Sequence, residues 1–372
     1  LTFSAAFLRH FQSIYQVSLT LILATAAALL AQWLRIPIPW MLGPLLCTAA
    51  LSIGGAPMRS SIYLRNVGQW VIACALGLYF TADVGHLVVS LWWAILLGIG
   101  WALALGFGFG LWLHHRHAAQ LMQGAVPHDA NAVRATSYFA GAIGGASEMT
   151  LLAERAGART DLVAAAHSLR LLLVVILLPF GMQWFQAHWG LHVNTALLPG
   201  PREAQWPGLL WLALVTGGGA LVMRWLKRTN PWFMGAMLVS MGLTLSGQQW
   251  SAVPKELSNA AQLVIGISLG VRFQKEFIRT APQWMGSVLV GSLSMMLAAA
   301  GLGWVLAQVT GLHPATMILG TAPGGIAEMA ITAKVLELGV PVVTAFQVCR
   351  LVAVLMLVSP LYHRWVAQRP PD

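Results

Sequence analysis

Long apolar runs follow one another along the chain, separated by short polar stretches. Six of these runs are long enough to cross a bilayer as a helix, which takes about 20 residues. They are Gln16–Leu34, Leu87–Leu113, Leu162–Phe185, Leu209–Leu226, Trp284–Val309 and Val342–Tyr362. Four shorter runs are expected to span within a bundle, namely Ile38–Ile53, Leu64–Phe80, Trp232–Leu245 and Leu257–Phe273. The pattern predicts an all-α polytopic membrane protein.

The composition excludes a water-soluble globular protein. Of the 372 residues, 58% are hydrophobic and only 9% are charged, whereas soluble domains carry about 25% charged residues. The mean hydropathy is +0.73. The net charge of +10 would suggest nucleic acid in a soluble protein, but here the cations lie mostly in short loops, as in cytoplasmic loops that face anionic lipid. We therefore expect membrane lipid as a partner and no nucleic acid, and a multi-pass location in the inner (plasma) membrane.

Metal and cofactor sites are not expected. Cys47, Cys74 and Cys349 lie inside apolar runs without a CxxC spacing, which is typical of small core residues. His114, His115 and His117 form a cluster at the end of a run, but the cluster has no acidic or cysteine neighbour. We interpret it as an interfacial feature. The chain contains no GxSxG, Walker A or HExxH motif, so an enzyme, including an oxygenase, is not expected.

The second half of the chain repeats the first. Gly144–Met149 reads GGASEM and recurs 180 positions later as GGIAEM at Gly324–Met329. Apolar sequence matches by chance, but a shared Gly-Gly, Glu and downstream Arg in the same order does not. We predict a first membrane repeat over residues 1–186, a proline-containing linker over 187–207 and a second membrane repeat over 208–372.

The distribution of cations indicates that the two repeats are inverted. If each Gly-Gly segment enters and leaves the membrane on one side, 15 cations fall inside and only four fall outside. The four are Arg35, Arg202, Lys255 and Lys334. If each segment crosses fully, the division becomes 9 inside and 10 outside, which is no bias. Because Lys and Arg accumulate on the cytoplasmic side, we predict two inverted repeats of about five transmembrane helices, each with a re-entrant or broken Gly-Gly segment, and cytoplasmic N- and C-termini.

The Gly-Gly segments are the first candidate site. A glycine pair lets backbone approach a ligand closely, and a half-helix that begins there directs free N–H groups at an anion. Close packing of helices is the structural alternative. Glu148 and Glu328 lie in apolar sequence, where a carboxyl group either carries a coupling proton or pairs with an arginine. Thr136 and Thr316 are expected to cap the entering half-helices.

The helix after each segment carries a second polar feature. Arg170 and Arg350 lie well inside long apolar runs, and His167 and Gln347 precede them by three residues, on the same helix face. A buried guanidinium needs a carboxylate, carbonyl groups or an anionic ligand. Clamping of a substrate anion and structural pairing with Glu148 or Glu328 both remain open, with pairing favoured in the resting protein.

At these residues the chain resembles the AbrB-duplication membrane protein family, which has two Pro-Gly-Gly-x-x-Glu-Met segments, each followed by a helix with Leu-Arg. The second copy fits as Pro323–Met329 with Arg350, whereas the first has Ile143 in place of the proline. The resemblance covers nearly the whole chain and implies a relation to the cation:proton antiporters and anion transporters. It implies a fold and a transport class but no solute. The family labels of regulator and ammonia monooxygenase find no support in these residues.

Together these features predict a secondary active transporter (permease) of a small polar, anionic solute, coupled to H⁺ or Na⁺, with its site between the two Gly-Gly segments. The expected binding residues are Gly144, Gly145, Ser147, Glu148, His167, Arg170, Thr321, Pro323, Gly324, Gly325, Glu328, Gln347 and Arg350. The alternative is a membrane sensor or accessory protein that binds a small ligand without transport. A homodimer is expected, with an interface at the first two spans of each copy, near Trp40 and Trp232.

Overall fold

The computed structural model describes residues 2–122, 130–189, 203–228, 230–273 and 282–366. All regular structure in these ranges is helical. The first half contains α1 (Thr2–Trp33), α2 (Pro39–Ile53), α3 (Ile62–Gly77), α4 (Ala82–Ser90), α5 (Trp92–Met122), α6 (Ala130–Gly141), α7 (Ala146–Arg155) and α8 (Thr160–Trp189). The second half contains α9 (Trp206–Trp225), α10 (Pro231–Leu245), α11 (Lys255–Gly270), α12 (Pro282–Thr310), α13 (Pro314–Thr321), α14 (Ile326–Val335) and α15 (Val340–Trp365).

Six of the described helices are long and apolar enough to cross a membrane: α1, α5, α8, α9, α12 and α15. They coincide with the six long runs of the sequence. Helices α3 and α4 together reach spanning length but are bent by 89° at the break between them, and α2 and α10 are shorter apolar helices. The predicted all-α polytopic membrane fold is confirmed. Most of the predicted linker, residues 190–202, lies outside the described residues.

One compact unit comprises Leu1–His86, Pro179–Phe277 and Lys334–Pro341. In this unit α2 packs against α11 and α3 against α10, while α1 supports α2 and α9 supports α10. The close contact between α1 and α2 also has a counterpart between α9 and α10. An added Cβ at Gly43 would collide with the backbone of Ala27, and one at Gly235 with the backbone of Gly219. Helix α2 of the first predicted copy thus packs on the second copy as α10 of the second copy packs on the first.

Backbone geometry in the same unit also recurs. Arg35 and Ile38 have φ values of 55° and 50°, and Lys227 and Asn230, 192 positions later, have 52° and 48°. A left-handed backbone is uncommon outside glycine and is an outlier for a β-branched residue such as isoleucine. In both places this turn directs the chain into the proline that begins the next helix.

The other compact unit comprises Leu87–Leu178, Ile278–Ala333 and Val342–Asp372, and it contains both Gly-Gly segments. Here α5 packs against α6, α12 against α13, and α5 against α12. Glycine permits these approaches. A Cβ at Gly110 would lie 3.2 Å from the Cα of Tyr138, and one at Gly303 would lie 2.7 Å from the Cα of Ile318. Small residues let membrane helices approach to this distance.

Candidate functional site

Each Gly-Gly segment interrupts the helical structure. Helix α6 ends at Gly141 and α7 begins at Ala146, while α13 ends at Thr321 and α14 begins at Ile326. The longest of these four helices, α6, has 12 residues and is therefore about 18 Å long. The hydrocarbon core of a bilayer is about 30 Å thick. None of the four helices can cross it alone.

Hydrogen bonds between α8 and α6 show which way the chain runs after the first break. The backbone N–H of Arg159 donates to Thr136 Oγ1 at 3.0 Å, and Arg170, farther along α8, donates to the carbonyl of Ala142 at 2.8 Å. The contacts advance in the same direction on both helices, so α8 runs parallel to α6. If α6 and α7 formed one continuous helix, its end at residue 155 would lie about 28 Å from residue 136, but Arg159 is hydrogen-bonded to Thr136. Helix α7 must therefore carry the chain back, and α6 and α7 form a helical hairpin.

The second copy has the same arrangement. Gln347 Nε2 donates to the carbonyl of Leu319 at 2.8 Å, and Arg350, three residues later, donates to the carbonyl of Gly324 at 2.6 Å. Helix α15 thus runs parallel to α13, and α14 returns the chain. Below, the first hairpin is α6–α7 with its tip at residues 142–145, and the second hairpin is α13–α14 with its tip at residues 322–325.

Arg170 holds the first tip through backbone carbonyls. Its guanidinium donates to the carbonyls of Gly141 at 3.3 Å and Ala142 at 2.8 Å, and to Nδ1 of His167 at 2.7 Å. The last carbonyls of a helix have no partner within it, and a cation there is favoured by the helix dipole. His167 Nε2 lies 2.8 Å from the carbonyl oxygen of Phe139 and must donate to it. With Nδ1 accepting from Arg170, the imidazole of His167 is neutral.

Arg350 holds the second tip in the same way. It donates to the carbonyls of Ala322 and Gly324 and to Oε1 of Gln347. Gln347 donates through Nε2 to carbonyls of the α13 end, among them Leu319. Glutamine and neutral histidine thus perform one task at corresponding positions, since each offers an acceptor to the arginine and a donor to a carbonyl.

The ion pair favoured from the sequence is not made by Arg170. Among the residues that the structure describes, its partners are the carbonyls and His167, and no ion pair joins it to Glu148. An ion pair that is present, between Arg159 and Asp161 at 2.6 Å, lies where α8 begins. Carbonyl oxygens therefore stabilise the buried guanidinium of Arg170, the role that the sequence analysis gave to a carboxylate.

The second glycine of each pair makes room for the glutamate. An added Cβ at Gly145 would collide with the carboxylate of Glu148, and one at Gly325 would collide with that of Glu328. Gly145 is the N-cap of α7, so the glutamate stands three residues into its helix, the position of the acidic member of a capping box. Each carboxylate is folded back over the positive end of its own helix.

The first glycine of each pair makes room for the methionine. A Cβ at Gly144 would lie 2.7 Å from Cε of Met149, and one at Gly324 would lie 2.8 Å from Cγ of Met329. Both methionines are fully buried. The spacing Gly-Gly-x-x-Glu-Met is therefore that of a tip packed on its own helix, which explains why both halves of the chain keep all four of these residues.

The two hairpins differ in exposure. Glu328 is buried, with 8% of its surface exposed, and α14 is buried over most of its length. Glu148 is partly exposed, Ser147 is exposed, and only Met149 and Ala153 of α7 are buried. Both copies share the motif, but α7 carries Ser147 and Arg155 where α14 carries Ala327 and Val335, so the sequence outside the motif agrees with this difference.

Several predicted polar residues have structural roles. Thr136 lies inside α6 rather than at its start and accepts the N–H of Arg159. The cap of α13 is His313, whose Nδ1 accepts from the N–H of Ala315, and not Thr316. Thr321 donates to backbone carbonyls, including that of Ala299 on α12. Pro323 is buried in the second tip.

The second tip packs against α8, the helix whose Arg170 holds the first tip. A Cβ at Gly324 in the second tip would lie 2.8 Å from Cγ1 of Val174, one helical turn beyond Arg170. The charges of Arg170 and Arg350 are close enough to interact. Nε of Arg350 is buried and has no hydrogen-bond partner among the described residues.

Residues 52–366 match the model of the family described as "Transition state regulatory protein AbrB". The chain belongs to the AbrB family. It is 25% identical over 348 residues to the Bacillus subtilis (strain 168) protein named "Uncharacterized protein YhjN", covering 88% of this chain and 87% of the relative. It is 23% identical over 353 residues to the Escherichia coli (strain K12) protein named "Putative regulator AbrB", covering 91% and 92%. In the described part of this AbrB-family chain, no group of three or more His, Cys, Asp or Glu residues is arranged to hold a metal ion.

Proposed function

We propose that this AbrB-family membrane protein is a secondary active transporter of a small polar, anionic solute. The observation that carries the proposal is the presence in one compact unit of two helical hairpins whose tips are held by Arg170 and Arg350. Interrupted helices that face one another from two repeats form the binding sites of secondary transporters, with half-helix N-termini directed at anionic groups of the substrate. The solute would lie between the two Gly-Gly tips.

The proposal includes a duplicated chain with inverted repeats. The left-handed turns 192 positions apart and the exchanged helix partners support duplication, and the excess of cations on one side supports inversion. In this arrangement the first hairpin enters the inner membrane from the cytoplasm and the second from outside, with both termini cytoplasmic.

Inverted entry gives a labelling prediction. In a variant whose native cysteines are replaced, Ser147→Cys is expected to react rapidly with a membrane-impermeant thiol reagent added to the cytoplasmic face, because Ser147 is exposed. Ala327→Cys, at the corresponding position, is 7% exposed and is expected to react slowly and only from outside. Mass spectrometry of oriented vesicles measures both reactions. Labelling of both positions from one face would contradict inversion.

The two glutamates offer a route to ion coupling. Each carboxylate covers the positive end of its own helix, where it competes with a solute anion for the same N–H groups. Protonation of Glu328 would remove this negative charge and free the helix end for the solute. Proton entry and anion binding would then favour one another, which is the thermodynamic requirement of symport.

Transport is tested with purified protein in liposomes, a panel of radiolabelled organic anions, and imposed gradients of H⁺ or Na⁺. We expect one class of anion to accumulate against its gradient. Glu328→Gln is expected to abolish gradient-driven uptake of that anion while sparing solute exchange. An unchanged pH profile of uptake in both Glu148→Gln and Glu328→Gln would eliminate the proton-carrier role.

The printed names of the family and of one relative favour a second function, that of a regulator. A sensor would bind the same anions between the tips without moving them. Calorimetry separates the two functions: saturable binding of an anion by the detergent-solubilised protein, with no uptake or exchange in liposomes, would favour the regulator. Binding accompanied by flux would favour the transporter.

A further inference from the structure

A cleft lies between α5, α6 and α15 and reaches Ala142 and Ile143 of the first tip. It consists of two cavities of about 560 and 320 Å³ that share Phe107, Tyr138 and Trp365 as wall residues. Both belong entirely to the unit that contains the hairpins. Because the two cavities share these walls they are neighbours, and one elongated ligand can occupy both.

The larger cavity is polar and basic at its far end. His114, His115 and Arg134 line it. Nδ1 of His114 is buried and has no hydrogen-bond partner among the described residues. Two of the lining residues lie near helix ends: Arg134 is four residues after the start of α6, and Trp365 is the last residue of α15. Trp112 also lines this cavity, and tryptophan is enriched at the level of lipid headgroups.

The smaller cavity is apolar. Its walls include Leu103, Ala104, Val358 and Leu361, and none of its lining side chains is ionisable apart from the shared Tyr138, whose hydroxyl is bonded to the carbonyl of Val358. From position 102 to position 115, α5 rises about 20 Å. Half of a hydrocarbon core is about 15 Å deep, so the cleft extends from headgroup level to near mid-bilayer.

We propose that this cleft binds an anionic phospholipid, with the phosphate at Arg134, His114 and His115 and one acyl chain along the smaller cavity. Charge complementarity selects the headgroup, since a guanidinium recognises a phosphate in bidentate fashion. The depth and apolar walls of the smaller cavity select a ligand with a long tail over a soluble anion. The proposal does not rest on transport.

The lipid would also contact the first hairpin. Ala142 and Ile143, which line the inner end of the smaller cavity, follow directly after α6, and the carbonyl of Ala142 is held by Arg170. An acyl chain there would support the outer side of the tip. Bound lipid is therefore expected to raise the thermal stability of the protein.

The test measures thermal unfolding of the full chain in detergent during titration with phosphatidylglycerol or with phosphatidylcholine of identical acyl chains. We expect phosphatidylglycerol alone to raise the unfolding temperature of the wild type, and native mass spectrometry to detect one retained lipid. Arg134→Gln is expected to weaken this binding by about fivefold or more, the loss of one cation–lipid attraction. Arg134→Lys retains most of it.

Two further arms identify the ligand. Arg116→Gln is the matched control, because Arg116 is an exposed cation of α5 outside the lining of the cleft, and it should leave lipid binding unchanged. Ala104→Trp fills the smaller cavity and should prevent lipid retention. An equal response to phosphatidylcholine, a response to inorganic phosphate alone, or full lipid binding by both Arg134→Gln and Ala104→Trp would each overturn the proposal.

Discussion

Gly141→Ala is expected to destabilise the protein and to abolish the proposed transport. An added Cβ at Gly141 would collide with the backbone N–H of Gly110 and the carbonyl of Gly106 on α5. Backbone atoms cannot rotate away as a side chain can, so α5 and α6 must separate. Overpacking of this kind typically costs about 1–3 kcal/mol. The shift also moves the Gly141 carbonyl that Arg170 binds. Uptake should therefore be lost even by the protein that remains folded. Thermal unfolding in detergent and uptake into liposomes measure the two effects.

Gly108→Ala is the matched control. Gly108 lies on α5 between the two glycines that face α6, and an added Cβ there would meet nothing within 4 Å. Alanine is also the better helix former, so this variant should unfold at or slightly above the wild-type temperature. An unfolding temperature for Gly141→Ala equal to that of Gly108→Ala would contradict the close approach of α5 and α6.

The comparison of the two copies shows how such contacts can differ under one motif. Position 321 corresponds to Gly141 but is a threonine. Its hydroxyl donates to the carbonyl of Ala299, and the partner helix offers Gly303 opposite it. In the first copy the space is therefore made by glycines on both helices, and in the second by one glycine facing a hydroxyl.

The spanning helices could be predicted from the sequence because they depend on the pattern of apolar side chains. Runs of apolar residues predicted the spanning helices, and a shared Glu and Arg directed attention to residues 148, 170, 328 and 350. The turn of each hairpin was supported only indirectly, through the balance of cations. It becomes visible in the structure when Arg159 is found bonded to Thr136.

The partners of the buried arginines could not be predicted in this way. Backbone carbonyls belong to every residue, so no sequence pattern indicates that Arg170 binds the end of α6 rather than a carboxylate. The sequence held one clue, namely that His167 of the first copy corresponds to Gln347 of the second. These two residue types share the ability to accept and donate hydrogen bonds at once, which suits orientation of a guanidinium better than it suits proton transfer by a histidine.

Among the variants proposed here for the hairpins, Arg350→Ala is expected to cause the largest loss of folded protein. It removes the donors to the carbonyls of Ala322 and Gly324 and to Oε1 of Gln347. The carbonyl of Ala322 keeps a donor in Nε2 of Gln347, but the carbonyl of Gly324 and Oε1 of Gln347 lose theirs. Each buried acceptor left without its donor costs about 1–3 kcal/mol, which for two acceptors is a large share of the stability of a typical domain, about 5–15 kcal/mol. Arg350→Lys should recover only part of the loss, because one ammonium group cannot reproduce the planar fork of a guanidinium. Folded yield and unfolding temperature in detergent provide the measurement.

A double variant distinguishes carbonyl binding from an ion pair as the main role of Arg350. If its charge chiefly balanced Glu328, then Glu328→Gln combined with Arg350→Ala would fold better than Arg350→Ala alone, since no buried charge would be left uncompensated. Because the orphaned groups are carbonyls, we expect the double variant to be as unstable as the single one. Arg364→Ala, at an exposed cation of the same helix, should fold like the wild type. Recovery of folding in the double variant would show that charge balance, rather than the hold on the second tip, is what keeps an arginine at this position.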